Sequence, residues 1–145
     1  MDHDRVLIAT DGSEQSIDAA AYACDLARRH DATLHAVFVM DTDPPGFRGA
    51  VDVETLRSEL HAQGERAIDA ITELAAEHGV ELETAILEGQ PFDEVLTYAE
   101  DNDVDAIVVG RRGRSANIRI LLGSTTDSIL RHSSVPVIVI PKRSG

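Results

Sequence analysis

Residues 105–130 read DAIVVGRRGRSANIRILLGSTTDSIL, and their order points to the architecture of the whole chain. A short apolar run of the buried type, AIVV from Ala106, stops at Gly110. A cationic loop follows, with glycines at 110, 113 and 123 and arginines at 111, 112, 114 and 119, and no acidic residue between the first and last glycine. Gly123-Ser124-Thr125 then opens a helical stretch that reaches about His132. Apolar run, glycine-punctuated loop and helix start together predict a strand–loop–helix unit.

The same alternation extends in both directions. RVLIAT at 5–10 and TLHAVFV at 33–39 are further apolar runs; residues 83–87 and the segment from Val135 to Ile140 (VPVIVI) complete five expected strands. Between them run helical periods. Ile17, Ala20, Ala21, Cys24 and Ala27 share one face of a first helix, for which Ser13 is an N-cap candidate. Leu56, Leu60, Ala67, Ile71 and Leu74 mark a longer second helix ending near Gly79. Pro91 suits a first helical position, with Asp93 and Glu94 in the first turn and Phe92, Val95, Leu96 and Ala99 facing inward. Apolar strands alternating with helices predict an α/β domain, a parallel sheet covered on both faces. At 145 residues the chain is expected to form one domain, 1–145.

Composition narrows the function classes. No apolar run approaches the roughly 20 residues that span a bilayer, and the first residues lack a signal-peptide pattern, so a cytoplasmic protein without a membrane partner is expected. One cysteine, Cys24, excludes an internal disulfide and a cysteine metal cage, and its place on the first helix's apolar face makes it core. The six histidines show no ligand-like spacing, so no metal ligand is assigned; His35, inside a strand pattern, reads as a satisfied structural histidine. The net charge of −13 sets 26 acidic residues against 13 basic ones, of which Lys142 is the only lysine. Such a surface disfavours general binding to nucleic acid. It suits solubility in concentrated salt, and a halophilic host is preferred to an ordinary acidic mesophile.

In open α/β sheets, ligands bind beyond the carboxyl ends of the strands, where strand order reverses. Three loops there carry chemistry: Ala9-Thr10-Asp11-Gly12-Ser13, Met40-Asp41, and the stretch from Gly110. Asp11 suits either a ribose hydroxyl or the capping of the first helix. Asp41 and Asp43 are placed to touch a nucleotide-bound cation, but their loop, DTDPPGFRG, reads first as a mobile connection. Gly123-Ser124-Thr125 at a helix start offers amides and hydroxyls to a phosphate, and Gly110 and Gly113 would admit close backbone approach. Neither GxGxxG nor a P-loop lysine is present.

Gly110-x2-Gly113-x9-Gly123-Ser124 resembles the nucleotide-binding signature of the ATP-binding branch of the universal stress protein family. VLIATDGSEQS, EGQP at 88–91, DAIVVGRRGRS and SSVPVIVIP resemble that family in the same order, over nearly the whole chain. The resemblance implies a Rossmann-like fold of the adenine nucleotide alpha hydrolase type, five parallel strands in order 3-2-1-4-5. It further implies ATP as ligand, with Mg2+ as an optional companion. Asp11 would hold the ribose; Ala9, Thr10 and the backbone near Val39 would bracket the adenine. Gly110, Arg112 and Gly113 would wrap the phosphates with Gly123, Ser124 and Thr125. At about 1 M salt the Debye length is only ~3 Å, so an arginine would help only by touching phosphate.

Three functions follow as alternatives: an ATP-binding stress or signalling module with little or no hydrolysis, a slow ATPase or phosphotransferase, and a nucleotide-free interaction module. Phosphoryl transfer needs a base or water-orienting group, and no catalytic constellation is identified, so the first is preferred. The fifth strand, uninterrupted by lysine or acid, would lie at the sheet edge in that order, and homodimerisation through it is expected.

Overall fold

A computed structural model of the chain describes residues 4–43, 52–111 and 123–141. Nine elements alternate along the described residues: β1 (Arg5–Thr10), α1 (Glu14–His30), β2 (Thr33–Met40), α2 (Val53–His78), β3 (Leu82–Glu88), α3 (Pro91–Asp101), β4 (Ala106–Gly110), α4 (Ser124–His132) and β5 (Val137–Ile140). The strands form one parallel sheet in the order β3-β2-β1-β4-β5. Both the α/β class and the strand order expected from the sequence are found. Order reverses beside β1, whose neighbours are β2 and β4.

Strand alternation explains the two cores. Val6 and Ile8 of β1, Leu34 and Ala36 of β2 and Val108 of β4 pack with α1 and α2 on one face. Leu7, Val37, Ile107 and Val109 project to the other face, against Val95 and Ala99 of α3 and Ile129 of α4. Both faces of β4 and of the Val6–Ile8 centre of β1 are buried, so these stretches are apolar, with polar residues in β1 only at its ends, Arg5 and Thr10. The buried stripe of α1 is Ser16, Ala19, Ala20, Ala23, Cys24 and Ala27, nearly all small, which brings that helix close to the sheet. Cys24 is core, and burial pushes its thiol up to about 11. Ser13 is the N-cap of α1, its hydroxyl accepting from Ser16 N at 3.2 Å.

The fifth strand begins two residues later than the sequence suggests, at Val137 rather than Val135. Ser133 is the cause: its hydroxyl accepts from Val135 N at 3.1 Å and donates to the Val135 carbonyl at 2.8 Å, curling the chain before the ladder starts. Pro136 has no amide to give, but its carbonyl accepts from Ile107 N at 2.9 Å. At the other end Ile140 O accepts from Arg111 N, also at 2.9 Å. Backbone groups in a strand alternate sides, so Val137 and Val139 turn theirs to the side away from β4.

Candidate functional site

The carboxyl ends of β1 and β4 diverge around a cleft with an inner cavity of about 80 Å³. Its floor is apolar: Val37 and Val39 from β2, Ala9 from β1, Val109 from β4, Val95 from α3 and Ile129 from α4. Thr10, Asp11, Gly110 and Thr125 form the polar rim with Ser16 and Thr126. Six of the ten site residues expected from the sequence (Ala9, Thr10, Asp11, Val39, Gly110 and Thr125) therefore line one cleft. Gly123 and Ser124 stand next to it, as N-cap and first residue of α4. Arg112 and Gly113 lie outside the described residues.

The β1–α1 loop is held by a chain of short hydrogen bonds. Gly12 N donates to Thr10 Oγ1 at 3.1 Å, and Thr10 Oγ1 lies 2.7 Å from Ser16 Oγ. Ser16 gives its one proton to the Ser13 carbonyl at 2.9 Å, so the Thr10 hydroxyl donates to Ser16. Both protons are thus committed within the loop, and Thr10 can face a ligand only with its backbone or a remaining lone pair. Asp11 Oδ1 accepts from Ser13 N at 2.9 Å, a turn just ahead of α1 rather than the helix cap the sequence offered it as an alternative; the cap is Ser13. Ser16 was not anticipated as a site residue, because its spacing marks it only as helix interior.

Across the cleft, Thr126 Oγ1 donates to the Gly110 carbonyl at 2.8 Å, tying the end of β4 to the start of α4. Gly123 N donates to Arg111 O at 2.9 Å, so the two flanks of the 112–122 segment meet at one point. Among the described residues no side chain caps α4. The amides of its first turn, at Ser124, Thr125 and Thr126, are those that helix geometry leaves without intrahelical acceptors. Gly110 serves a purpose the sequence did not reveal. A Cβ there would stand 3.3 Å from both the carbonyl carbon and oxygen of Gln15, so its bareness lets α1 seat against β4.

The third wall is Pro91, first residue of α3. The turn that delivers it is fixed by Gly89 N donating to Met40 O at 3.0 Å. Just before it, Arg57 of α2 grips Glu88 with a two-pronged fork, Nε and Nη2 each at 3.0 Å, and Thr42 donates to the same carboxylate. This fork holds the Glu88 carboxyl below its usual range.

Residues 3–141 match the universal stress protein family. The chain belongs to that family. A universal stress protein relative, MJ0531 of Methanocaldococcus jannaschii, is 34% identical over 139 residues, 95% of this chain and 82% of its own length. Among solved structures, universal stress protein UspA from Lactobacillus plantarum superposes with a TM-score of 0.82 at 29% identity, covering 97% of this chain and 99% of that one. A universal stress protein crystallised in complex with cAMP matches with a TM-score of 0.71 at 25% identity, over 97% and 98% of the two chains.

Proposed function

We propose that this universal stress protein binds ATP in the cleft between β1 and β4 and acts as a nucleotide-dependent stress or signalling module with little or no hydrolysis. One observation carries the reading. The first turn of α4, which no side chain among the described residues caps, meets an apolar floor at the topological switch point, which pairs donors for phosphate with a slot for a flat base. The cAMP complex of a relative supports an adenine nucleotide as the ligand class. Asp11 is assigned to the ribose, and Ala9, the Thr10 backbone and Val39 to the adenine. Gly110, Arg112, Gly113, Gly123, Ser124 and Thr125 are assigned to the phosphates. Bound ATP would supply a polyphosphate, which these amides and hydroxyls would hold by hydrogen bonds, with Arg112 supplying the positive charge in the assigned set. Asp11 is the one carboxylate among the described lining residues, and its Oδ1 is engaged by Ser13. The acidic, lysine-poor composition is taken as that of a halophilic host, and the cytoplasm as its compartment.

Calorimetry with ATP and magnesium in high-salt buffer tests the assignment. Asp11→Asn keeps the acceptor for Ser13 N and removes the charge, whereas Asp11→Ala removes both. Alanine should weaken ATP binding by about 1–3 kcal/mol, and asparagine by less. Wild-type affinity for ATP no better than for inorganic phosphate would overturn the reading.

A homodimer through β5 is proposed alongside it. Two edges pairing antiparallel about a two-fold axis would satisfy the outward backbone groups of Val137 and Val139 in both copies. Light scattering at micromolar protein in high salt should give twice the monomer mass. Val137→Pro removes an outward amide while leaving the β4 ladder intact, and should yield monomer. A wild-type monomer, or an undisturbed variant dimer, would count against this interface.

A further inference from the structure

Near the start of β2, two residues before the cleft-lining Val37 and on the same face of the strand, a histidine is buried. His35 is 1% exposed. Its Nδ1 lies 2.8 Å from the Tyr98 hydroxyl of α3, the two rings meeting edge to face. Among the described residues its Nε2 has no hydrogen-bond partner, and it stands 3.6 Å from Glu83 Oε2 on β3. The sequence reading of a satisfied histidine thus holds for one ring nitrogen only. A bare Nε2 lone pair facing a carboxylate is repulsive, so the neutral ring carries its proton on Nε2, and Nδ1 accepts from the Tyr98 O–H.

Three elements press charged or titratable groups toward this ring: Glu83 from β3, Tyr98 from α3 and Arg5 from β1. Burial holds the imidazole below its ordinary value; the Glu83 charge opposes that and the Arg5 charge adds to it. Arg5 also donates through Nη1 to the carbonyl of Asn102, the C-cap of α3, at 2.7 Å. The C-terminal half of α3 is therefore moored to the sheet at Tyr98 and at Asn102. One turn above Tyr98 sits Val95, and Pro91 stands one turn further; both line the cleft. A proton added at Nδ1 takes away the acceptor that Tyr98 uses and sets a second positive charge beside Arg5.

We propose that His35 is a proton-sensitive positioning residue. Neutral, it moors α3 through the Tyr98 hydroxyl and keeps the Pro91–Val95 wall of the cleft in place; protonated, it loosens that wall and weakens ligand binding. The binding half of the proposal rests on the nucleotide reading of the cleft, but the movement of α3 does not. The sign follows from linkage. A histidine lowered on folding leaves the fold fully stable above its ordinary value of 6.5, and stability falls as pH drops from there toward the lowered value.

The test has two arms on the intact protein. In the first, without nucleotide, NMR follows the His35 ring and the methyls of Val37 and Val95 from pH 7.5 to 4.5. The methyls should shift with the same midpoint as the ring. In Glu83→Gln, an exposed change that removes the charge favouring the protonated ring, both midpoints should move together to lower pH. Methyls that do not follow the ring, or midpoints unmoved by Glu83→Gln, would overturn the mooring. In the second arm, calorimetry with AMP should show affinity falling by up to about tenfold per pH unit below the ring's midpoint. His35→Asn keeps an acceptor for Tyr98 and cannot titrate, so its profile should be flat over that range. An equally steep fall in His35→Asn would overturn the coupling. Absence of AMP binding at every pH would overturn this half together with the nucleotide reading, while leaving the first arm to decide the mooring.

Discussion

Replacing Gly64 by valine is expected to destabilise the protein by about 3 kcal/mol, the upper end of the usual cost of overpacking. Gly64 lies inside α2, where helix propensity alone favours alanine over glycine by about 1 kcal/mol. Packing opposes propensity here. An added Cβ would sit 2.8 Å from Phe38 Cδ1 and 3.3 Å from Ile86 Cδ1. Those two side chains belong to residues paired across β2 and β3, and Phe38 is buried, so the ring has little room to yield. Gly64→Ala should therefore also lose stability, by about 1 kcal/mol net of its propensity gain. Urea denaturation with the transition midpoint as readout decides between the two effects. A midpoint raised in Gly64→Ala would show that α2 shifts outward at little cost.

Gly64 also marks where the sequence stops being legible. In HAQGERA it looks like a flaw in a helix, and no spacing rule connects it to Phe38 or Ile86 more than twenty positions away. The elements themselves were readable because their signals are local. The capping serine at 13, the proline at 91 and the period-two and helical stripes each act within a few residues. Strand order came from the family resemblance rather than from periodicity, since alternation fixes parallel pairing but not which strand lies beside which. The start of β5 differs because of Ser133, whose side-chain turn stands just ahead of a run that reads as apolar. At the cleft, Ala9, Thr10 and Asp11 were visible as the loop after a first strand. Ser16, Thr126 and Ile129 were not, because helix residues become lining only once α1 and α4 are placed against the sheet. His35 was visible as a strand residue, but Tyr98 and Glu83 reach it only through the pairing of β2 with β3 and the packing of α3.

Gly110→Val should damage ligand binding and folding together, and the structure says in which order. The three-glycine signature suggests that this residue is bare to let phosphate approach the backbone. The nearest atoms a Cβ would meet, however, are the Gln15 carbonyl at 3.3 Å and Ser16 N at 3.5 Å, all backbone of the first turn of α1. Backbone atoms within a helix cannot rotate aside as a side-chain tip can, so α1 must move bodily at its N-terminal end. That end carries Ser16, whose hydroxyl joins Thr10 to the Ser13 carbonyl. Valine at 110 is expected to cost about 1–3 kcal/mol in stability by overpacking, and the displacement should spread the Thr10–Ser16 pair. ATP binding should then fall even where the variant remains fully folded. Gly110→Ala separates the causes, since its single carbon needs only a shift of a few tenths of an ångström. If phosphate approach alone requires glycine, Gly110→Ala should lose affinity with its unfolding midpoint unchanged. If seating of α1 is the requirement, affinity and midpoint should fall together, and Thr126→Val, which cuts the tie to the Gly110 carbonyl from the other side, should add to both losses. The close backbone contact favours the second outcome, and calorimetry run beside denaturation on the same three variants measures it.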